Sequence, residues 1–311
     1  MSFSPAGIIP ERLERVLEEG YPVRMGHYLS RAWQLFRAEM GSMLGYSALM
    51  LLMLLVILGM YAGTVGLILG STITNPIFSG LMGLPLSFLT VPVVVGYWFV
   101  MQRTAYDQPS SFGNFFDGFQ RIIPIGITQI LVTLFTYIPL FIGFGLLFSR
   151  LKVDMASLNP IEDPIGYQQA MLSIITGWEL WLGIIPAAFV ACLYLLAQPL
   201  VCLDNLSPWE AMETSRKLVS IRILPLVGVL VLTYLLFIVG MIVFLIPSFL
   251  LIAVSPALGV VVYILELILI VLAIIPLGMG FVYAIYEDIT APLRTDVFQQ
   301  DLDEIGAPDT E

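Results

Sequence analysis

Six long apolar runs constrain the fold of this chain more than any other feature of the sequence. Each is long enough for the ~20 residues that an α-helix needs to cross the ~30 Å hydrocarbon core of a bilayer. None alternates apolar and polar residues, which argues against a transmembrane β-barrel. Since backbone polar groups in lipid must bond to one another, we predict an all-α membrane protein with six spans. The runs are Met43–Leu69, Ile77–Met101, Ile122–Phe148, Leu180–Leu203, Ile223–Val254 and Ala257–Ile285.

The composition excludes several classes of protein. Hydrophobic residues make up 59% of the 311 residues and charged residues 12%, whereas soluble domains carry ~25% charged residues. A soluble enzyme and a disordered chain are therefore not expected. The formal charge of −10 argues against a nucleic-acid partner, because phosphate attracts a basic surface. Composition and spans together predict an integral protein of the cell membrane.

Motifs that carry chemistry are missing from the sequence. One histidine, His27, and two cysteines, Cys192 and Cys202, provide neither the spacing of a metal centre nor a disulfide framework. The P-loop, HExxH and GxSxG patterns do not occur. We therefore expect no enzyme activity, no catalytic residue, no cofactor and no metal ion.

The distribution of Lys and Arg predicts the orientation of the chain in the membrane. Two basic residues, Arg150 and Lys152, lie on one side, and nine lie near the spans on the side of the termini, not counting the more distant Arg12 and Arg15. Because cytoplasmic loops carry the excess of Lys and Arg, we expect both termini to be cytoplasmic and the loop Ser149–Glu179 to face outward. The nine are Arg24, Arg31, Arg37, Arg103, Arg121, Arg216, Lys217, Arg222 and Arg294.

These features divide the chain into three parts. We predict a cytoplasmic N-terminal segment of residues 1–23 with a short amphipathic helix from Pro10 to Gly20, where Gly20 suits a helix C-terminus. A single six-helix membrane domain covers residues 24–290. Residues 291–311 are acidic after Arg294, and we expect a flexible cytoplasmic tail because like charges favour a solvated chain.

An internal repeat precedes every second span. The segments AWQLFR, FFDGFQR and AMETSRK superpose at Ala32, Phe115 and Ala211, and each leads into an apolar run. We therefore predict three helix-pair repeats, each preceded by a cytoplasmic interfacial amphipathic helix. In the third repeat Ser207, Pro208 and Glu210 have the spacing of a capping box with proline in the first turn, which predicts a helix start.

The interfacial helices contain the first group of candidate residues. We expect Trp33 and Phe36 to share a face in the headgroup layer, flanked by Arg31 and Arg37. Two roles remain open: the helices only fix the orientation, or they form a docking surface for lipid headgroups or a soluble partner. The candidates are Trp33, Phe36, Arg31, Arg37, Phe116, Arg121, Trp209, Arg216 and Lys217.

The repeat segments also resemble those of a known group of proteins. LDNLSPWEAMETSRKLVSIR and, more weakly, SFGNFFDGFQR resemble segments of uncharacterised bacterial and archaeal multi-pass membrane proteins. They are similar to the membrane domain attached to some glycerophosphodiester phosphodiesterases. The resemblance implies a helical membrane domain. It does not imply phosphodiesterase activity, because the sequence contains no soluble catalytic domain and no metal-binding cluster.

Glu266 is the second candidate, because it is the acidic residue that lies well inside a span. Ionisable side chains at that depth are costly and often functional. Tyr263 lies one turn earlier on the same face, and Gln129 and Gln198 are the other intramembrane polar candidates. Two roles remain open for Glu266: a polar group that holds helices together, or a site that handles protons or cations.

Small residues recur in the first span. Gly59 and Gly63, and then Gly66 and Gly70, have GxxxG spacing, which lets two membrane helices approach closely. We favour packing against other helices of the same chain over dimerisation, since five partner helices are present.

Two functions are consistent with these features. The first is an integral membrane protein without a catalytic site that has a scaffold, assembly or accessory role in the cytoplasmic membrane. The alternative is a small transporter, or a carrier of a lipid or amphipathic solute, that uses Glu266. The expected partners are membrane lipids and, as a further class, other membrane proteins.

Overall fold

The computed structural model describes Val16 and residues 20–69, 76–151 and 164–306, and the regular elements in these residues are all helical. This confirms the all-α class. The elements, in order, are α1 (Met25–Ala38), α2 (Met40–Leu69), α3 (Pro76–Ala105), a 3₁₀-helix (Phe112–Arg121), α4 (Ile122–Leu151), α5 (Pro164–Ile175), α6 (Trp178–Leu193), α7 (Ala197–Leu203), α8 (Pro208–Ile221), α9 (Ile223–Val254) and α10 (Pro256–Gly306).

Six stretches of these helices are long and apolar enough to cross a membrane. They fall on α2, α3, α4 with the preceding 3₁₀-helix, α6 with α7, α9 and α10. The chain is therefore a multi-pass membrane protein. The predicted outward loop contains helix α5, and α10 continues from the last span through residues 291–306. Most of the predicted helix Pro10–Gly20 lies outside the described residues, but Gly20 has the positive φ of +70° that suits a helix C-terminus.

Most buried side chains lie at one end of the bundle, which we call the basic end. It comprises α1, the 3₁₀-helix, α7, α8 and the adjoining ends of the spans. The ring of Tyr46 on α2 stacks on that of Phe115 at 4.2 Å between centroids, and its hydroxyl donates to the Val93 carbonyl at 2.6 Å. Trp98 on α3 donates from Nε1 to the Met279 carbonyl on α10 at 3.0 Å. Aromatic and polar contacts thus join α2, α3, α10 and the 3₁₀-helix.

Two glycines allow the 3₁₀-helix to lie directly on α3. A Cβ atom at Gly96 would overlap the Phe115 carbonyl oxygen, and one at Gly118 would lie 2.8 Å from the Pro92 carbonyl oxygen. Ordinary Cβ contacts are longer than both, so this close approach requires glycine at both positions.

Charged residues attach α1 to the end of α10. Arg31 binds Glu287 through two hydrogen bonds of 2.8 and 2.7 Å, and Arg24 pairs with Asp288 at 3.1 Å. The Tyr28 hydroxyl donates to the same Asp288 at 3.0 Å. Burial raises the pKa of Tyr28, and the Asp288 carboxylate raises it further, so the phenol stays a hydrogen-bond donor. We call these contacts the α1 clasp.

The opposite part of the spans, which we call the far half, contains fewer buried side chains. One close contact there is between α4 and α6, where the Cα of Gly183 lies 2.7 Å from the position of a Cβ on Gly143. Near that crossing Arg150 pairs with the buried Glu179 at 2.9 Å. In α9, by contrast, most side chains are exposed rather than packed against other helices of the chain.

Candidate functional site

The fourth span is interrupted, and polar side chains collect at the interruption. Helix α6 ends at Leu193 and α7 begins at Ala197. Pro199 has no N–H for the carbonyl of Leu195, so one intrahelical hydrogen bond is missing here. The N–H groups of Leu195 and Ala197 bond instead to carbonyls three residues back, on Cys192 and Tyr194. We call residues 194–196 the break.

Ser215 on α8 supplies the hydrogen bonds that the break lacks. Its hydroxyl oxygen accepts from the Leu196 N–H at 3.1 Å and its hydrogen is donated to the Leu193 carbonyl at 2.8 Å. Ser215 is fully buried. Irregular backbone at membrane depth is tolerated where protein satisfies its polar groups, and one side chain does so here on both sides of the break.

Gln129 and Gln198 meet beside the break. Gln198 donates from Nε2 to the Gln129 side-chain oxygen at 3.1 Å and to the Ile125 carbonyl at 3.2 Å, and Gln129 donates to Thr133 at 3.1 Å. The Oε1 atom of Gln198 is buried without a hydrogen-bond partner. These two candidates therefore bind each other and link α4 to α7. In the described chain no hydrogen bond joins either of them to Glu266.

Glu266 lies in the α9–α10 hairpin, away from the two glutamines. Its side chain is 8% exposed, and its Oε2 atom is buried without a hydrogen-bond partner. The Tyr263 ring lies 6.3 Å from that of Phe249, and Gly259 lies against Ile252. This antiparallel register places Glu266 level with Leu245 and about one turn from Ser248, both of which are buried. Tyr263 packs on α9, and no described hydrogen bond links it to Glu266.

The interfacial candidates divide into buried and exposed side chains. Phe36 is buried in the basic end, whereas Trp33 is 49% exposed, so of this pair Trp33 alone is available to the surroundings. Arg31 belongs to the α1 clasp, and Arg37 is exposed. Phe116 is half-buried in the aromatic cluster around Tyr46. The predicted apolar face of α1 is therefore partly buried against the protein and partly exposed.

The second and third interfacial segments show the same division. Arg121 donates to the Val201 carbonyl at 2.7 Å, which ties the 3₁₀-helix to α7. On α8, Trp209 is 62% exposed, and Arg216 and Lys217 both pair with Glu213. The Arg216 hydrogen bond lowers the pKa of Glu213. The predicted capping box at the start of α8 is confirmed, since Ser207 and Glu210 bond each other reciprocally.

A glycine pair on α2 is exposed. For Gly59 and Gly63, nothing among the described residues lies within 4 Å of the position that a Cβ would occupy, so the predicted packing within the chain is not seen for this pair. The contacts of Gly66 and Gly70, the second predicted pair, lie outside the described part of the chain. Leu52, Leu55 and Val56, one to two turns away on the same face, are more than half exposed. The GxxxG spacing thus lies on an open apolar face.

Sequence reasoning missed two features of the site. It did not find the break, although the Gln198–Pro199 step inside an apolar run was an available signal. It also did not pair Glu179 with Arg150, because the two residues are distant in sequence. In the described residues no group of three or more His, Cys, Asp or Glu side chains could hold a metal ion. Comparisons with protein-family models, curated proteins and solved structures give no match.

Proposed function

We propose that this chain is a non-enzymatic integral protein of the cytoplasmic membrane with a scaffold, assembly or accessory role, and that it acts by binding a membrane-spanning helix of another protein. The open face of α2 around Gly59 and Gly63 carries this proposal. Membrane helices associate through close packing of small residues rather than through hydrophobic burial. A GxxxG pair that has no neighbour among the described residues is thus suited to a helix of another protein.

Crosslinking within the membrane tests the proposed assembly. A photoreactive amino acid at Met60, which is 70% exposed beside the glycine pair, should yield a discrete adduct with another membrane protein. Gly59→Leu combined with Gly63→Leu should abolish that adduct, because the leucine side chains keep the helices apart. Gly240→Leu on α9, where nothing lies within 4 Å, is the matched control and should preserve it. Adducts with lipid alone would contradict the proposal.

The same proposal includes the headgroup layer as a binding surface. The exposed side chains Trp33 and Trp209 lie on the same helices as the exposed cations Arg37 and Lys217, and amphipathic rings with cations favour the headgroup layer. The equivalent repeat positions Ala32, Phe115 and Ala211 are all buried, which supports three related units. Cytoplasmic termini remain supported by the excess of Lys and Arg at this end. The similarity to phosphodiesterase membrane domains stays a prediction.

Thiol labelling tests the orientation. Single cysteines at Gln108, which is exposed at the basic end, and at Ser157, which lies outside the described residues, are introduced after Cys192 and Cys202 are replaced by serine. An impermeant thiol reagent applied to intact cells should label the cysteine at 157 and leave that at 108 unlabelled until the membrane is permeabilised. The reverse pattern would overturn the orientation.

Glu266 favours a second function, a transporter or a carrier of a lipid or amphipathic solute. The observation is the buried Oε2 atom without a hydrogen-bond partner, because a carboxylate that only joins two helices would bond across their interface. Glu266→Gln keeps the size of the side chain and removes the ionisable group. If the chain is a transporter or carrier, this variant should fold but lose transport in cells. If the chain has a scaffold, assembly or accessory role, the variant should retain its function.

A further inference from the structure

A short segment before α1 is packed against the basic end, and we call its residues 20–23 the strap. Tyr21 in the strap is 5% exposed, and its hydroxyl donates to the Leu218 carbonyl on α8 at 3.2 Å. Leu218 is one of the last four residues of α8, whose carbonyls lack a partner within the helix. The strap therefore completes the hydrogen bonding at the end of α8.

Glycine lets the strap pass close to Arg222, the residue that follows α8. The Nε and Nη2 atoms of Arg222 lie 3.5 Å from the position of a Cβ on Gly20. The φ of Gly20 is +70°, a conformation that glycine adopts without strain. Beyond Tyr21, the Pro22 carbonyl oxygen lies 3.2 Å from the Tyr28 hydroxyl. The strap is thus attached to α8 through Gly20 and Tyr21, and to α1 through Pro22.

The strap also lies beside a buried thiol at the end of α6. Cys192 is 4% exposed and belongs to the same cluster of buried side chains as Tyr21. Burial and the nearby Cys192 raise the pKa of Tyr21, and Arg222 lowers it, which gives a value of about 12. The phenol therefore remains a hydrogen-bond donor, close to both Cys192 and Arg222. Tyr21 is the strap side chain that shields this thiol.

The attachment of the strap to α8 is weaker than the attachment of α1 to α10. The strap contains no charged side chain, and one side-chain hydrogen bond of 3.2 Å links it to α8 in the described residues. The α1 clasp, in contrast, contains two ion pairs. Because α8 lies outside the candidate spans, water can replace the Tyr21 hydroxyl at the Leu218 carbonyl. Departure of Tyr21 thus leaves no backbone group of α8 without a partner.

We propose that the strap is a releasable cover. Gly20 and Tyr21 leave the end of α8 while Pro22 stays attached to α1, and their release opens Cys192 and the Leu218 carbonyl to the surroundings. The surface between α6 and α8 is therefore occupied by a segment of the same chain, and the strap controls access to it. This device is independent of the open glycine face on α2 and of Glu266.

Alkylation of the two native thiols by N-ethylmaleimide tests the cover in the full chain. Cys202→Ser and Cys192→Ser each leave one thiol, and the two thiols are almost equally buried, at 4% for Cys192 and 3% for Cys202. We expect Cys192 to react about tenfold faster, because opening of the strap exposes it without unfolding the bundle. Tyr21→Ala should accelerate Cys192 by about another tenfold and leave Cys202 unchanged. Equal rates for the two thiols in the unmodified chain would overturn the proposal.

Two further variants exclude a general loosening of the chain. Trp209→Ala removes a ring that is 62% exposed at the start of α8, and as the matched control it should leave both alkylation rates unchanged. Tyr21→Phe keeps the buried ring and loses only the bond to Leu218, so it should accelerate Cys192 roughly threefold. This milder variant decides the question if Tyr21→Ala does not fold. An unchanged Cys192 rate in Tyr21→Phe, or equal acceleration of Cys192 and Cys202, would contradict the cover.

Discussion

The basic end and the far half are both built from apolar helices, yet they are held together differently. At the basic end Tyr46, Phe115 and Trp98 bury their rings and bind backbone carbonyls of neighbouring elements. In the far half most of α9 exposes its side chains, and Gly59 and Gly63 have no neighbour in the described chain. Apolar residues do not drive helices together in lipid. Packing therefore depends on ring stacking, hydroxyl–carbonyl bonds and ion pairs, which are concentrated at the basic end.

The basic end is therefore the tightly packed part of the molecule, and the far half is the part with surfaces open to other molecules. At the basic end, the aromatic rings and polar groups of several helices find their partners within the chain. The far half retains an open glycine face, a groove and the helix α9, most of whose side chains are exposed. Matched substitutions, one at the basic end and one control elsewhere in the molecule, test this difference in packing directly.

Substitution of a close-contact glycine should have the largest effect. Gly96→Ala places a methyl group against the Phe115 carbonyl and against the Tyr46 hydroxyl at 2.9 Å. We expect the free energy of unfolding to fall by roughly 2–3 kcal/mol, as in other overpacked cores. Gly240→Ala meets open space in the far half and should be neutral or stabilising by up to ~1 kcal/mol. Unfolding in mixed micelles measures both, and equal effects would refute the division.

Removal of a buried hydroxyl should have the next largest effect. Ser215→Ala leaves the Leu196 N–H and the Leu193 carbonyl without partners, and unsatisfied buried groups cost about 1–3 kcal/mol. Ser248→Ala in the far half removes only a bond to Leu245 of its own helix, so its cost should stay below ~1 kcal/mol. Hydrogen exchange of the Leu196 amide should accelerate in Ser215→Ala and not in Ser248→Ala. Unchanged exchange in Ser215→Ala would exclude the bridging role.

The α1 clasp should contribute less than the buried contacts. Glu287→Gln replaces the carboxylate that Arg31 holds through two bonds, and partly exposed ion pairs contribute up to ~1 kcal/mol. Glu213→Gln on α8 removes a more exposed pair and serves as the control. The destabilisation by Glu287→Gln should shrink as ionic strength rises. A loss of stability that does not change with ionic strength would show that packing, rather than the ion pair, attaches α1 to α10.

Substitution of Glu266 should have the smallest effect on the free energy of unfolding. Because its Oε2 atom lacks a partner, Glu266→Leu should change the free energy of unfolding by less than the ~0.6 kcal/mol typical of an interhelical hydrogen bond. A loss of ~2 kcal/mol would instead indicate that the carboxyl joins the helices. Thermal unfolding of this variant beside Glu266→Gln distinguishes the two results.

The sequence was sufficient to predict the spans, because hydropathy and length decide what crosses a bilayer. The fifth run, Ile223–Val254, coincides with α9, and the second differs from α3 by a few residues at its ends. The start of α8 was also predictable, since a capping box is a local pattern of Ser207 and Glu210. Local chemistry and composition were enough for these elements.

Contacts between elements could not be predicted in the same way. The run Leu180–Leu203 is uniformly apolar, and hydropathy does not report which N–H binds which carbonyl, so the break at residues 194–196 was missed. Gln129 and Gln198 were recognised as polar candidates, but their pairing depends on how α4 meets α7. Phe36 and Trp33 share an apolar arc, and the sequence alone does not indicate that Phe36 is the buried one.

The uninterrupted length of α10 has a mechanical consequence. The helix runs from Pro256 to Gly306 over 51 residues, which is about 76 Å at 1.5 Å per residue and more than twice the ~30 Å hydrocarbon thickness. A tilt of a rigid rod displaces its end in proportion to length. The α1 clasp at Glu287 and Asp288 lies between Glu266 and Gly306, about 32 Å from the first and about 28 Å from the second along the axis. If the clasp acts as a pivot, a sideways movement of the segment around Glu266 would therefore move residues 291–306 in the opposite direction by a similar distance.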